Sequence, residues 1–217
     1  MQDKGMVITV LLIVFGVVLA AALGYYFATI THVGNASSSA NNQTLSSSQP
    51  YRLFIVEPMD TGWNSTTAQP KFFVLGPNGL GSSANLSVPA NTLIQLTIVS
   101  YDTPTPGSSD QQGKVTGTVG NGAYIINGTV ASMTDVSMQW GMNTTSVPGS
   151  SLAHTFTIPF FGINVPIPAG DTVTAYLRFN QKGVFQWFCE TPCGFGPNGT
   201  AGAMSQPGWM EGQITVT

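Results

Sequence analysis

The 217-residue chain has few charged side chains, and this scarcity excludes several kinds of partner and chemistry. Only 7% of its residues are charged, and its six Lys and Arg residues are scattered along the whole length. A nucleic-acid-binding protein needs clustered basic residues, so that class of partner is excluded. The sequence also lacks a Ser-His-Asp set, paired carboxylates in a known catalytic motif and a phosphate-binding glycine loop, which argues against an enzyme acting alone.

Histidine and cysteine are scarce too, with two of each in the chain. The cysteines, Cys189 and Cys193, stand four residues apart at the end of an aromatic strand and the start of a glycine-rich loop, in FQWFCETPCGFG. Two thiols this close in sequence can converge on one point, either as a disulfide or as paired soft ligands for copper. The disulfide is the simplest interpretation in an extracytoplasmic protein, because that compartment oxidises paired thiols. Any redox or metal chemistry is predicted at this loop.

One long apolar segment lies near the N-terminus. Residues 7–30 carry no charge and are long enough to cross a bilayer core at about 1.5 Å per residue. Lys4 precedes this segment and no Lys or Arg follows until Arg52, which predicts a cytoplasmic N-terminus and an extracytoplasmic body. A cleaved signal peptide, with small residues at Ala20–Ala22, is the alternative. The length favours a transmembrane anchor over residues 1–30 and a single-pass protein of the cell membrane.

Residues 31–50 are too polar to fold alone and are predicted to be a flexible tether, with His32 exposed at its root. The extracytoplasmic domain is then expected to occupy residues 51–217. Seven Asn-x-Ser/Thr acceptors occur where chance would give about three, which favours a glycoprotein. The acceptors are Asn35, Asn42, Asn64, Asn85, Asn127, Asn143 and Asn198.

Beyond residue 50 the chain is punctuated by Gly, Pro and Asn and shows no sustained helical period. This pattern predicts an all-β sandwich or barrel of about seven to nine strands. Leu93–Ser100 alternates apolar and polar residues at period two, as a half-buried strand does. The other predicted strands are Tyr51–Val56, Lys71–Leu75, Ala123–Val130, His154–Pro159, Thr172–Phe179, Val184–Phe188 and Gln213–Thr217.

A long excursion rich in Gly, Ser and Thr separates Tyr101 from Ser151. An insertion of this size in a compact sandwich covers a face of the domain or contacts a partner. Its soft side chains could form a docking patch, but packing beneath the loop is the favoured interpretation. These side chains are Met133, Met138, Trp140 and Met142.

Two residues far from the cysteines in sequence complete a recognisable set. His154 begins the predicted strand HTFTIP, and Met210 stands just before the last strand in WMEGQITV. A histidine on one strand, cysteines on the loop after another and a methionine behind them form the layout of copper held at one end of a β-sandwich.

These motifs together resemble the outer domain of subunit II of haem-copper terminal oxidases, a cupredoxin that carries the dinuclear copper A centre. The resemblance covers the predicted anchor, Val88-Pro89-Ala90 with the strand after it, and most of Ala153 to Val216, including C-x-x-x-C-G-x-G and a closing M-x-G-x-I-x-V. It implies a cupredoxin-like Greek-key sandwich behind one transmembrane helix. It also implies a large haem-bearing oxidase subunit as membrane partner, and a redox protein or quinol as electron donor.

The resemblance further implies roles for single residues. Cys189 and Cys193 would be bridging thiolates, His154 an imidazole ligand and Met210 a weak axial thioether, and Glu190 would donate its backbone carbonyl. The family's second histidine follows its C-G-x-G motif directly, whereas this chain has Pro197 there, which offers no side-chain ligand. The only other histidine is His32, beside the predicted membrane segment, so the domain alone cannot complete a two-histidine copper site.

Three outcomes stay open for the site. It holds no metal, with Cys189 and Cys193 reduced or joined, as in the quinol-oxidising branch of the family. It holds copper through the two cysteines, His154 and Met210, helped by Met204 from the inserted loop Asn198 to Gly208. Or a partner protein donates the missing ligand. Electron transfer or donor docking in an oxidase is the expected function. The rivals are a free-standing anchored cupredoxin and a structural subunit with a disulfide and no metal.

Overall fold

The computed structural model describes residues 50–58, 61–62, 68–126, 142–194 and 201–217. Helix in these residues is limited to short 3-10 segments at Gly149–Ser151, Pro159–Phe161 and Gly202–Ser205. In chain order the strands are β1 (Tyr51–Glu57), β2 (Thr61–Gly62), β3 (Ala68–Gln69), β4 (Phe73–Gly76), β5 (Gly79–Ser82), β6 (Asn85–Val88), β7 (Ile94–Ser100), β8 (Ala123–Ile126), β9 (Met142–Thr144), β10 (Leu152–Ile158), β11 (Ile163–Pro168), β12 (Thr172–Leu177), β13 (Gly183–Phe188) and β14 (Glu211–Val216).

The predicted membrane segment and tether lie outside the described residues. Within the described ranges, no helix has the length and apolar character that crossing a membrane requires.

Two sheets form the domain. The first has the strand order β5-β4-β1-β7-β12-β8-β9, and the second has the order β11-β10-β13-β14-β6. The short strands β2 and β3 pair separately. Most neighbours are antiparallel, but β1 runs parallel to β7 and β14 runs parallel to β6. The chain therefore crosses between the sheets repeatedly, and strands distant in sequence become neighbours.

A single apolar core draws on both sheets. Strand β7 shows how the sequence pattern produces it, because Ile94, Leu96 and Ile98 are fully buried while Gln95 and Thr97 between them are partly exposed. Burying each such side chain stabilises the fold by about 1.5–3 kcal/mol. The largest fully buried side chains are Trp187, Phe72, Phe156 and Phe179.

The predicted all-β class is confirmed, whereas the predicted number of strands was too low. The hairpin of β4 and β5 turns through a glycine-rich GPNGLGS segment, whose small residues gave no strand signal. Strand β11 contains Pro166 and Pro168, which the pattern treats as strand breakers. It lies at the edge of the second sheet, where a strand can lack some N–H donors.

The described parts of the excursion between Tyr101 and Ser151 lie at the edges of the two sheets, and the two roles predicted for the excursion stay predictions. Strands β8 and β9 extend the first sheet beyond β12. The first half of the excursion lies along the second sheet, where the Asn164 side-chain amide donates to the carbonyls of Gln112 and Lys114 at 2.8 and 2.7 Å. Met133, Met138 and Trp140 lie outside the described residues, and Met142 begins β9.

The strand directions bring several polar residues to one end of the sandwich. Glu57 and Ser100, the last residues of β1 and β7, are register partners. His154 lies near the start of β10, and Cys189 directly follows β13, which is antiparallel to β10. This end of the domain is called the site end below.

Candidate metal centre

The two cysteines lie side by side at the site end. Their Sγ atoms are 3.3 Å apart, and both residues are free cysteines. Cys189 is buried at the sheet margin, where its N–H donates to the carbonyl of Met210 at 2.8 Å. The Thr155 N–H and the Thr191 hydroxyl lie 3.4 and 3.1 Å from Cys189 Sγ. The Thr155 N–H, which donates to this sulfur, favours its thiolate form.

His154 joins the cysteines to a pair of acidic residues. Its ring is fully buried, with Nδ1 3.9 Å from Cys189 Sγ. On the other side of the ring, Nε2 lies 3.1 Å from Asp102 Oδ2 and 3.6 Å from Glu57 Oε1. A carboxylate that accepts from Nε2–H leaves the lone pair of Nδ1 directed towards the sulfurs.

The two carboxylates are themselves held in place. The Ser100 hydroxyl donates to Glu57 Oε2 at 3.0 Å, and the Thr103 N–H donates to Asp102 Oδ1 at 2.7 Å. Each carboxylate therefore turns its other oxygen towards His154. Such outer hydrogen bonds fix the orientation of a metal-binding imidazole.

These contacts shift the acid–base equilibria of the metal-free site. Burial disfavours the imidazolium, but the hydrogen bonds to Asp102 and Cys189 and the charge of Glu57 outweigh it and raise the pKa of His154 to about 10. Burial opposes the Cys189 thiolate as well, but bonds from Cys193 and His154 hold the pKa of Cys189 well below its usual value. Burial and the adjacent thiolate raise the pKa of Cys193. Both shifts favour a thiolate on Cys189 paired with an imidazolium on His154 in the metal-free site.

Met204, which the sequence predicted as an additional ligand, supplies the thioether that lies beside the cysteines. Its Sδ lies 3.2 Å from Cys193 Sγ. It belongs to the 3-10 helix Gly202–Ser205, which the Met210 N–H joins through a bond to the Ala203 carbonyl at 3.2 Å. Met210 is fully buried behind the cysteine loop and contacts it through its backbone carbonyl.

The backbone carbonyl of Glu190 is already hydrogen-bonded. The Gln112 side-chain amide, from the excursion, donates to it at 2.5 Å. The Glu190 N–H donates to the Thr155 hydroxyl at 2.7 Å, which keeps the peptide between the cysteines rigid. His32 and Pro197 lie outside the described residues. So do the acceptors Asn35, Asn42, Asn64, Asn127 and Asn198, whereas Asn85 and Asn143 are exposed.

A small cleft gives access to the Cys193 side of the site. It has a volume of about 210 Å³ and includes Cys193, Gly194 and Asp102 in its lining. Four prolines surround these residues: Pro70, Pro104, Pro106 and Pro192. A larger groove of about 600 Å³ runs along β13 and β14 and is lined by neither cysteine nor histidine. The smaller cleft is therefore the one relevant to metal entry.

The donor atoms present fit copper. Cys189, Cys193 and His154 each direct a ligand atom into a space where these atoms lie within 4.8 Å of one another. Thiolate, thioether and imidazole are the donors that copper prefers, and the buried surroundings limit access of water. Phe72 packs edge-on against the His154 ring at 5.9 Å and stacks on Trp187 at 5.8 Å.

Sequence reasoning missed the outer residues of this site. Glu57, Asp102 and Gln112 bind site residues that follow them by 52 to 97 positions in the chain. One signal was available for Glu57, because a charged residue is rare in this chain and this one ends a strongly apolar strand.

No family model and no curated protein matches the chain. Solved structures to which the chain is similar include the periplasmic domain of subunit II of cytochrome oxidase from Bradyrhizobium japonicum. The two sequences are 13% identical, the match covers 76% of this chain and 83% of the solved chain, and the TM-score is 0.32. Auracyanin B is 15% identical, with coverages of 77% and 90% and a TM-score of 0.32. A chain of a heme-copper terminal oxidase dimer is 13% identical, with coverages of 94% and 97% and a TM-score of 0.36.

Proposed function

We propose that this domain binds copper at its site end and transfers electrons as an extracytoplasmic, subunit II-like component of a membrane haem-copper oxidase. One observation carries the copper assignment: the sulfurs of Cys189, Cys193 and Met204 and the Nδ1 atom of His154 converge at the end of a rigid β-sandwich. Copper would supply one-electron chemistry through a change of valence.

The protein's own residues have three tasks in this function. Cys189, Cys193, His154 and Met204 hold the ion, and the buried Met210 lies directly behind them. Asp102 and Glu57 fix the orientation of the imidazole, so that little reorganisation accompanies electron transfer. The aromatic side chains beneath the site exclude water, which influences the reduction potential.

The oxidase assignment rests on the sequence motifs and on the predicted membrane segment 7–30. In this proposal the haems and the oxygen chemistry belong to a larger membrane partner, and the donor is a redox protein or a quinol. Co-purification of the native protein tests the assignment. A haem-containing subunit should accompany the full-length chain through detergent extraction, and isolation of the chain by itself would argue for a free-standing carrier.

Metal analysis and optical spectra of the purified protein test the copper assignment. The copper-loaded protein should show thiolate-to-copper absorption that is lost in Cys189→Ser. A colourless protein that takes up no copper would contradict it.

A metal-free structural subunit is the second candidate. The adjacent positions of the two Sγ atoms favour it, because a small movement would join them in a disulfide. Mass spectrometry of the native protein under non-reducing conditions distinguishes the two candidates, since a Cys189–Cys193 bond in all molecules would leave no thiolate for copper.

A further inference from the structure

The donors at this site are sufficient for one metal ion. Around the cleft, the ligand atoms are two cysteine sulfurs, one thioether from Met204 and one imidazole nitrogen from His154. The other ring nitrogen of His154 faces Asp102 and Glu57 and is not available on this side. Four donors of these types match the coordination number of a single tetrahedral or distorted tetrahedral ion.

A second ion would need a terminal donor of its own in addition to the two shared thiolates. The backbone carbonyl of Glu190 is the nearest oxygen donor in the sequence, and the Gln112 amide, at 2.5 Å, occupies one of its two lone pairs, so this oxygen could offer only one weak ligand. The described residues contain one histidine, His154, so they cannot provide a separate imidazole for each ion.

Hydrogen bonds of the neighbouring residue Ala203 fix the position of Met204 at the site. The Ala203 N–H of its 3-10 helix donates to the buried side chain of Gln69, and the Ala203 carbonyl accepts from the Met210 N–H at 3.2 Å. Gly194, in the cysteine loop, has no side chain, and an added Cβ would lie 2.9 Å from Met204 Cγ. The loop and the helix therefore fit together only with glycine at this position.

We propose that this centre takes a single copper ion per chain rather than a pair, and that Met204 supplies the thioether donor that completes its coordination. The proposal rests on the copper-binding function above and defines its stoichiometry. In this proposal Met204, which follows the cysteine loop in sequence, determines the optical absorption and the hyperfine splitting of the copper.

Copper titration of the full-length protein in detergent tests the stoichiometry. We expect saturation at one copper per chain and an electron paramagnetic resonance spectrum with the hyperfine pattern of a single nucleus. Saturation at two, with a spectrum of an electron shared between two equivalent nuclei, would overturn the inference and leave the proposed function intact. Failure to bind any copper would overturn both.

Two volume-conserving variants test the role of Met204. Met204→Leu should weaken copper binding by at least about tenfold, whereas Met210→Leu should weaken it less. The reverse order would reassign the thioether and overturn this part of the inference. Circular dichroism of the metal-free variants shows whether both remain folded.

A third variant keeps the inference testable if the leucine variants unfold. Met204→His replaces a sulfur donor by a nitrogen donor and should shift both the thiolate-to-copper absorption and the hyperfine splitting. Spectra identical to those of the unmodified protein would mean that residue 204 is not a ligand.

Discussion

His154 has unlike surroundings at its two ring nitrogens. Nε2 faces the carboxylates of Asp102 and Glu57, and Nδ1 faces Cys189. The negative charges of the two carboxylates and the thiolate would repel one another strongly in a buried space. The imidazolium, which lies between the carboxylates and the thiolate, compensates part of this negative charge. In the metal-free protein this ring therefore stabilises the thiolate, and metal binding replaces its proton.

Two opposed pKa shifts determine how the stability of the metal-free domain depends on pH. The raised pKa of His154 contributes stability that is complete below pH 6.5 and is lost as the pH rises through about 10. The lowered pKa of Cys189 contributes stability that is complete above pH 9.0 and is lost as the pH falls. Between pH 6.5 and 9.0 the two contributions change in opposite directions, because the folded chain holds a proton on His154 that the unfolded chain loses, and lacks a proton on Cys189 that the unfolded chain holds.

Replacing Cys189 should therefore expose the dependence due to His154 alone. In metal-free Cys189→Ser, where Asp102 and Glu57 still raise the pKa of His154, the free energy of unfolding should fall by about 1–3 kcal/mol between pH 6.5 and 9.0, more than that of the unmodified protein, in which the Cys189 contribution opposes the fall. Urea denaturation at both pH values, followed by tryptophan fluorescence, measures the difference. Cys193→Ser is the matched control, because the raised pKa of Cys193 keeps it neutral in this range. Equal pH profiles for both variants would contradict the ion pair.

The cysteine loop and the 3-10 helix Gly202–Ser205 form one packed unit. The Met210 N–H and the Gln69 side chain hold the helix, and Cys193 Sγ touches Met204 Sδ. The contact depends on a close approach at Gly194, where an added Cβ would meet the Ala201 carbonyl and the Met204 side chain. Glycine at this position therefore determines where the thioether lies.

Gly194→Ala should separate the helix from the loop. We expect a loss of about 1–3 kcal/mol in the free energy of unfolding, because the new methyl group would lie 2.9 Å from Met204 Cγ and would also press on backbone. Copper affinity should fall with it, because Met204 Sδ would be displaced from Cys193. Chemical denaturation and copper titration measure the two effects.

Gly81→Ala is the matched control for this variant. A Cβ at Gly81 would have Val74 O, at 3.8 Å, as its nearest neighbour, which is an ordinary contact. Its stability and its copper affinity should remain close to those of the unmodified protein. An equal loss in both alanine variants would show that the effect is not specific to the contact between the loop and the helix.

The sequence contained enough information for the inner part of this site and too little for its outer part. Cys189, Cys193 and His154 were predicted together, because the motifs around them each extend over a few neighbouring residues. Asp102 and Glu57 reach His154 only through the pairing of β1 with β7 and the packing of the two sheets. Local period two predicts that a strand exists, but it does not specify which distant strand lies beside it.

The same distinction explains the assignment of the thioether. Met210 was favoured because it stands in a motif beside the last strand. Met204 contacts Cys193 from the 3-10 helix Gly202–Ser205, and the Gly, Ala and Ser residues of this helix do not signal it in the sequence.

The charges of the domain are unevenly distributed along its length. Asp110 and Glu190 are exposed near the site end, where the Gly149 N–H donates to Asp110 and the Gln112 amide binds Glu190. The exposed cations Arg52, Arg178 and Lys182 lie near strand ends remote from the site, whereas Lys114 lines a groove together with Glu190. The carboxylates of Asp102, Asp110 and Glu190 outnumber Lys114 around the cleft, so a reductant that approaches it meets a negative potential.

This asymmetry predicts how small reductants react with the copper-loaded domain. A cationic metal complex should reduce it severalfold faster than an anionic complex of matched size and driving force at ~0.01 M ionic strength. The difference should shrink at ~0.15 M, where the screening length is about 8 Å. Stopped-flow measurement of the second-order rate constants tests this expectation.

Charge variants show whether the site end is responsible. Glu190→Gln should reduce the preference for the cationic complex, because this exposed carboxylate lies between the two cysteines in sequence. Lys182→Gln, a change of equal size at the remote end, should alter the preference less when both variants are compared at ~0.15 M, where a charge farther away than the screening length of about 8 Å contributes little at the cleft. If the two variants altered the rates equally, the net charge of the molecule rather than the placement of its charges would control the approach of the reductant.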